Sequence, residues 1–392
     1  MHQASACAAL ARWVCPPNPA VGCVITSAQG KLLGQGHTQA RGHAHAEVMA
    51  LRDAATQGLS VRGATAYVTL EPCAHHGHTP PCSQTLIDAG IAKVVIAVLD
   101  PNPLVAGRGM QMLRDAGVAV EVLSPDSVPA QASRELNLGF FSRMLRKTPW
   151  VRMKIAASLD GQTALRNGQS QWITGPAARA DGHAWRARAC AVLTGIGTVL
   201  QDDPLLDARD VDTPRQPHLV VVDSKLELPL SAKLWTTLGT KTNRADSSGS
   251  TQDTINSIAG RALFIYAAVQ NDARRQALEA RGATVIYLPQ AGNSMAPGKV
   301  DLRAMLHDLA AREINELHVE AGFKLNGSLL ATGCVDELLI YTAPKLLGPG
   351  MGMANLPELQ HLGDAVLLDF RAADLVGTDL RTIARLHGRD CF

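Results

Sequence analysis

An α/β fold in two domains is what this sequence predicts, on three observations. Strand-like and helix-like stretches alternate through the first 125 residues. A second alternating series starts at Trp150. Between them Pro149 disfavours helix at the residue before it, so Lys147–Pro149 reads as a short boundary. The domains are therefore set at 1–146 and 147–392.

Ala20–Thr26 is an apolar run after a Pro-rich turn, and Gly30–Gly36 is a turn-and-return. Ala46–Gln57 has helical spacing, with Val48, Leu51 and Ala55 on one face. Ala64–Leu70 is a strand, Ser83–Ala89 a helix and Val94–Leu99 a buried strand. Leu113 leads through a Gly117 stop into the strand Val118–Leu123, and Ser133–Arg146 leaves the domain as one helix. The second half has strand candidates at Val151–Ala157, Ala191–Thr194, His218–Val222, Ala262–Tyr266, Thr284–Leu288, Glu316–Glu320 and Glu337–Tyr341. The run Thr236–Ser257 is rich in Thr, Ser, Asn, Asp and Gly and nearly free of apolar residues, which predicts a surface insertion.

Composition narrows the function. Of 392 residues, 46% are apolar and 18% charged, an ordinary globular balance that excludes disorder, collagen and coiled coil. No apolar run approaches the roughly 20 residues of a membrane helix. No secretory signal is read at the start. With 37 basic against 35 acidic side chains and only 4% aromatics, nucleic acid is not expected as the main ligand. Eight scattered cysteines predict reduced thiols in a cytoplasmic protein rather than a disulfide framework. A small molecule is the expected partner, with neither nucleic acid nor membrane.

The sharpest pattern is His45-Ala46-Glu47 followed by Pro72-Cys73 and Pro81-Cys82. One His and two Cys suit zinc and leave its fourth position open for water, whose pKa the metal lowers. Glu47 is spare as a ligand and suits proton transfer to a leaving amine. The pattern resembles the H-x-E…P-C-x-x-C signature of zinc nucleobase deaminases. It departs in spacing: eight residues separate the cysteines, which disfavours an ordinary cytidine or tRNA-adenosine deaminase. A closed structural zinc with His75, His76 or His78 as fourth ligand is the competing reading. His37 and His43 read as loop residues or substrate contacts.

With these residues the N-terminal half resembles the deaminase domain of the bifunctional riboflavin biosynthesis (RibD) family. The matching segments are Pro17–Gly22, Gly42–Glu47, Thr69–Cys73, Thr79–Cys82, Asp100–Pro103 and Gly107–Gly109. The resemblance implies a cytidine-deaminase-like three-layer α/β/α domain. In it His45, Cys73 and Cys82 hold one Zn2+, Glu47 is catalytic, and the Asn18 region shapes the base pocket. The family's N-terminal helix is abbreviated here to Met1–Trp13.

The second half is less legible from its residues alone. Gly195-Ile196-Gly197-Thr198 follows a strand but lacks the third glycine of a dinucleotide fingerprint. Either an anion-binding turn or a plain β–α turn fits it. Glu320-Ala321-Gly322 ends another strand, at the edge where ligands gather in open α/β sheets. Lys154–Gly161, Ser170–Thr174, Thr194–Pro204 and Val319–Gly322 are similar to the family's reductase domain, which implies a dihydrofolate-reductase-like α/β fold and NADPH.

The resemblance then places Ala156, Trp172, Thr198, Asp202 and Ser224 at the cofactor. Gly322, Phe323, Lys324, Leu325, Asn326, Gly327 and Ser328 become a loop around its phosphates. Ser170, Arg186, Leu206, Arg209 and Glu320 hold a pyrimidine ribosyl phosphate substrate; a guanidinium fork suits such a phosphate. Lys154 is a candidate polar group of the reductase. Asp207 and Ala321 depart from the family, which has a neutral residue and a glycine there. The implied reactions are hydrolytic deamination of 2,5-diamino-6-(ribosylamino)-4(3H)-pyrimidinone 5'-phosphate, then NADPH-dependent reduction of ribosyl to ribityl. The family also implies a homo-oligomer built through the reductase domain. Two other classes stay open: a stand-alone zinc deaminase with a non-catalytic appended domain, and a binding protein with structural zinc.

Overall fold

The structure, a computed structural model, describes residues 1–74, 80–103, 105–238, 260–291 and 298–392. They form two compact units, Met1–Thr148 with Phe392, and Pro149–Cys391.

The first unit carries helices α1 (His2–Ala11), α2 (Ala46–Thr56), α3 (Cys82–Asp88), α4 (Arg108–Asp115), α5 (Val128–Leu136) and α6 (Leu138–Arg146). Its strands are β1 (Gly22–Thr26), β2 (Leu32–His37), β3 (Thr65–Val68), β4 (Lys93–Ile96) and β5 (Ala119–Val122). The sheet order is β2-β1-β3-β4-β5, antiparallel on either side of β1 and parallel from β3 to β5. Cys23, Ile25, Ala66, Val68, Val94 and Ile96 bring their apolar side chains into one core with Leu86, Leu113 and Phe141. Small residues let the helices lie close. A Cβ on Gly36 would stand 2.5 Å from that of Met49 and 2.6 Å from the Ala50 nitrogen, so α2 presses directly on β2.

One prediction here is corrected. Ser133–Arg146 is not a single helix, because the chain breaks at Asn137 between α5 and α6. There the Asn137 amide accepts from the Ala20 nitrogen at 2.7 Å and donates to the Ala20 oxygen at 3.0 Å. A side chain bonded to a distant strand entry competes with helix continuation.

The second unit carries β6 (Trp150–Ser158), β7 (Ala164–Leu165), α7 (Pro176–Arg188), β8 (Ala191–Gly195), α8 (Ile196–Asp202), β9 (His218–Val222), β10 (Leu263–Ala267), α9 (Asp272–Ala280) and β11 (Ala283–Tyr287). It continues with α10 (Leu302–Ala311), β12 (Glu316–Val319), α11 (Phe323–Ala331), β13 (Glu337–Ala343), β14 (Gly350–Met351), β15 (Leu368–Val376) and β16 (Asp379–Leu386). Nine strands run in the order β11-β10-β9-β8-β12-β6-β13-β16-β15. Those from β11 to β13 are parallel, and β16 and β15 add antiparallel. The parallel strands read as near-continuous apolar runs because helices cover both faces.

The β15–β16 hairpin was not among the predicted strands. Residues 368–376 are mostly exposed, so burial never imposed the apolar pattern that marks the inner strands. The predicted phosphate loop is also corrected: Gly322 precedes α11, and residues 323–328 are its first turns. Of the polar run, Thr236 and Thr237 end a 3₁₀ helix, Lys233–Thr237, and residues 239–259 lie outside the described residues. His75, His76 and His78 do too, so the closed-zinc alternative is not addressed by them.

Candidate functional site

Close packing on β2 fixes the start of α2. His45 stands just before that helix in extended backbone, and Glu47 lies in its first turn. Cys73 follows β3, and Cys82 is the first residue of α3. The three converge. His45 Nδ1 is 3.3 Å from Cys82 Sγ and 3.7 Å from Cys73 Sγ, and all three ligand atoms lie within 4.8 Å of one another. Tetrahedral zinc with bonds of about 2.0–2.3 Å separates its ligands by about 3.3–3.8 Å. Two thiols and an imidazole at this spacing fit that ion.

The charges around the cluster are set by burial and by mutual hydrogen bonds. Glu47 is 3% exposed; burial first, and then the charge on Cys73, push its carboxyl up. The Cys82 thiol donates to Cys73, and the Cys82 backbone N–H does so at 3.3 Å, which with His45 holds Cys73 as the thiolate. Cys82 is correspondingly raised. The hydrogen bond to Cys73 raises His45 against the effect of its burial.

The segment carrying Cys73 is clamped from behind. The buried Glu71 carboxylate accepts from the backbone nitrogens of Gly107 at 2.9 Å, Met110 at 3.0 Å and Asp100 at 3.3 Å. Gly109 then brings α4 against Pro72, where a Cβ would stand 1.9 Å from the Pro72 oxygen. Asp100 is itself buried, and that burial pushes its carboxyl up to about 7.

In the second unit the polar groups gather where parallel strands end. Lys154 lies on β6 and Glu320 just past β12, its neighbour in the sheet. Arg186 of α7 pairs with both Glu320 oxygens, through Nε and, at 2.9 Å, through Nη2. Lys154 Nζ is 3.8 Å from Glu320 Oε2. Burial alone would raise the Glu320 carboxyl, but Arg186 and Lys154 hold it well below the usual range. Burial lowers Lys154 despite the attraction of Glu320. His318, fully buried on β12, has its Nε2 3.5 Å from Glu320 without hydrogen-bond geometry. Its burial keeps it below the ordinary imidazole value.

Beside this cluster two helices start at glycines with no side-chain cap, α8 after Gly195 and α11 after Gly322. A Cβ on Gly322 would be 3.7 Å from Thr198 Oγ1, so the two starts adjoin. A Cβ on Gly197 would meet nothing within 4 Å. Uncapped amides at open glycines suit the diphosphate of a dinucleotide, so these residues fit NADPH.

Known proteins share both halves. Residues 1–98 match the cytidine and deoxycytidylate deaminase zinc-binding region, and residues 149–380 match the RibD C-terminal domain. The chain belongs to the RibD family. RibD from Escherichia coli is 40% identical over 370 residues, 94% of each chain. RibD from Aquifex aeolicus is 36% identical over 93% of this chain and 91% of its own. A solved structure of RibD from Acinetobacter baumannii covers 98% of this chain and 97% of its own, with TM-score 0.81 and 35% identity. As a RibD, the chain is a bifunctional deaminase and reductase of riboflavin biosynthesis, with zinc and NADPH as cofactors and a small pyrimidine as substrate. Its α/β architecture agrees with the expected fold class. Among the described residues, no helix is long and apolar enough to cross a membrane.

The positions carried over from the RibD resemblance fall unevenly. Ala156 is two residues beyond Lys154 on β6, and Thr198 and Asp202 lie on α8. Ser224 follows β9, and its carbonyl accepts from Ala268 and Val269 at 3.0 Å each. Trp172 is 62% exposed, with the Arg179 guanidinium 4.5 Å from its ring, and Ser170 is half-buried nearby in sequence. Of residues 322–328, Asn326 and Gly327 are buried; a Cβ on Gly327 would be 2.1 Å from the Asn355 oxygen. Gly322, Phe323, Lys324, Leu325 and Ser328 keep some exposure. Leu206 is buried in the core beside Val192 and Val199, while Arg209 is exposed and pairs with Asp207 at 2.7 Å. The sequence reading assigned no role to Glu71. A buried acid followed 36 residues later by Gly-x-Gly is a weak signal without the fold.

Proposed function

We propose that this chain deaminates 2,5-diamino-6-(ribosylamino)-4(3H)-pyrimidinone 5'-phosphate and then reduces the ribosyl group of the product to ribityl, each step in its own domain, with the chain boundary near residue 147. The observation that carries the reading is the convergence of His45, Cys73 and Cys82 with Glu47 buried in the adjoining helical turn.

His45, Cys73 and Cys82 hold the zinc. When bound, that ion supplies the Lewis acidity that makes water nucleophilic near neutral pH. Glu47 takes the proton of the attacking water and delivers it to the departing amine. The ring carbon exchanges its C–N bond for C–O, and ammonia leaves. In the second step NADPH supplies two reducing electrons. Thr198 and the glycine-led starts of α8 and α11 bind its phosphates, with Ala156, Trp172, Asp202 and Ser224 around the rest. Glu320, held by Arg186 and Lys154, orients the ribosyl hydroxyls, while Arg209 and Ser170 serve the phosphate end.

The reductase unit associates with a second copy through β15. This edge strand carries Phe370 at 77% and Leu375 at 73% exposure, and an exposed apolar edge is a template for pairing. The scattered placing of the cysteines along the chain suits a reducing cytoplasm.

The decisive experiment gives zinc-loaded protein the diaminopyrimidinone ribosyl phosphate, with and without NADPH, and identifies products by mass. Deaminated ribosyl product without NADPH, and ribityl product with it, are the expected results. Deamination that NADPH cannot carry further would leave an appended, non-catalytic second domain. Sedimentation tests the association: a monomer at micromolar concentration rejects it.

A further inference from the structure

We infer that Arg261 is a positioning residue of the reductase site, holding the 203–210 segment in the backbone conformation that seats Arg186 against Glu320. The inference rests on the reading of Arg186 and Glu320 as substrate groups.

Arg261 stands two residues before β10 and is 5% exposed. Its guanidinium donates to the oxygens of Pro217 at 2.6 Å, Leu205 at 3.5 Å and Leu206, and to Thr237 Oγ1 at 2.6 Å. None of these partners is a carboxylate. Burial lowers its pKa to about 10, which leaves it charged near neutrality. A buried cation whose donors go to carbonyls fixes backbone, and three of the four acceptors here are main-chain oxygens.

The segment it grips needs fixing. Asp203, Leu206 and Asp210 have φ of 41°, 53° and 59°, left-handed values that side chains larger than glycine rarely adopt. Such residues persist where the surroundings over-determine them. Leu206 is held twice, by burial of its side chain in the core and by Arg261 on its carbonyl.

What this conformation delivers is the next carbonyl. Asp207 O accepts from Arg186 Nη1 at 2.9 Å, while Arg186 Nε and Nη2 engage the two oxygens of Glu320. The path therefore runs Arg261, Leu206, Asp207, Arg186, Glu320, through contacts in one compact unit. None of the four acceptors of Arg261 lies in the glycine turns at Gly195 and Gly322. The grip falls on Leu205 and Leu206, beyond α8 and next to the Asp207 carbonyl that meets Arg186.

The test compares Arg261→Met, Arg261→Lys and Arg186→Lys in the full zinc-loaded chain, with the Tm of the second unit as the control on its folding and deaminase turnover as the control on the first. Arg261→Met should raise the reductase KM for the deaminated pyrimidine by about 100-fold, as small displacements of reacting groups can do. NADPH affinity, read by fluorescence quenching, and deamination should stay as in the parent. Arg261→Lys should recover part of the loss. The double variant Arg186→Lys, Arg261→Met should be no worse than Arg186→Lys alone, because both act on one contact. An unchanged KM in Arg261→Met overturns the inference. So does a KM that worsens only in step with NADPH affinity and Tm. If Arg186→Lys itself leaves KM unchanged, the substrate reading fails and the inference falls with it.

Discussion

The two sites solve the problem of holding charge in different ways. In the first unit the functional atoms come from two helix starts and the segment after β3, a donor set that suits a cation. In the second unit Glu320 is already neutralised by Arg186 and Lys154, drawn from a helix and a neighbouring strand. One site is completed by what it binds, and the other is balanced beforehand. A buried carboxylate raised by its burial and by a neighbouring thiolate, such as Glu47, is poised to take a proton. One that is doubly paired, such as Glu320, is poised to stay charged and hold something still.

Glu47→Gln presses hardest on this contrast. It should cut deamination by about 100- to 10 000-fold while leaving reduction of supplied deaminated substrate intact. A coupled loss of both activities would break the division. Chelation of zinc should reproduce that split and also lower the stability of the first unit, by about 4 kcal/mol where the metal had stood at a thousandfold excess over Kd.

Glu320→Gln tests the other side. It leaves Arg186 and Lys154 without their anion and should cost the reductase unit about 3–5 kcal/mol, with deamination spared. Because Glu320 is depressed in the folded state, its stabilisation is present above the ordinary value of 4.5 and is lost as pH falls through its folded pKa. Unfolding of the second unit followed below pH 4.5 should therefore steepen in the parent and flatten in Glu320→Gln. Equal slopes would show that the pairing contributes nothing.

The smallest expected effect is at Gly109. Gly109→Ala forces a methyl group onto the Pro72 oxygen and should cost about 1–3 kcal/mol in the first unit. It should also weaken zinc binding, read by competition with a chromogenic chelator. Unchanged affinity would mean that Cys73 is not positioned through α4.

Legibility follows the same division. His45, Glu47, Cys73 and Cys82 stood out because metal chemistry demands particular residue types at short range along the chain. Glu320 was marked only by its place at a strand end, and Arg186, 134 residues away, was reached only by likeness to RibD. Arg261 had no sequence signal, since its acceptors are mostly carbonyls that every residue supplies. The inner strands were readable because both faces are buried. The β15–β16 hairpin was not, although Gly377, with φ of 65°, marks its turn. Asn137 looked like an ordinary helix residue because its partner, Ala20, lies 117 positions away.

The Glu71 clamp bears on the order in which the chain folds. Its three backbone donors lie 29, 36 and 39 residues downstream. Loops of that size close only after local helices and turns have formed. β3 pairs with the upstream β1, but the turn from Glu71 to Cys73 is not clamped until residue 110 has been synthesised and docked. A chain stalled before that point offers His45 and an untethered thiol, but no ordered pocket. Acquisition of zinc then serves as a readout that the sheet from β2 to β4 has assembled with α4, and truncations ending before and after α4 should differ sharply in the metal they retain.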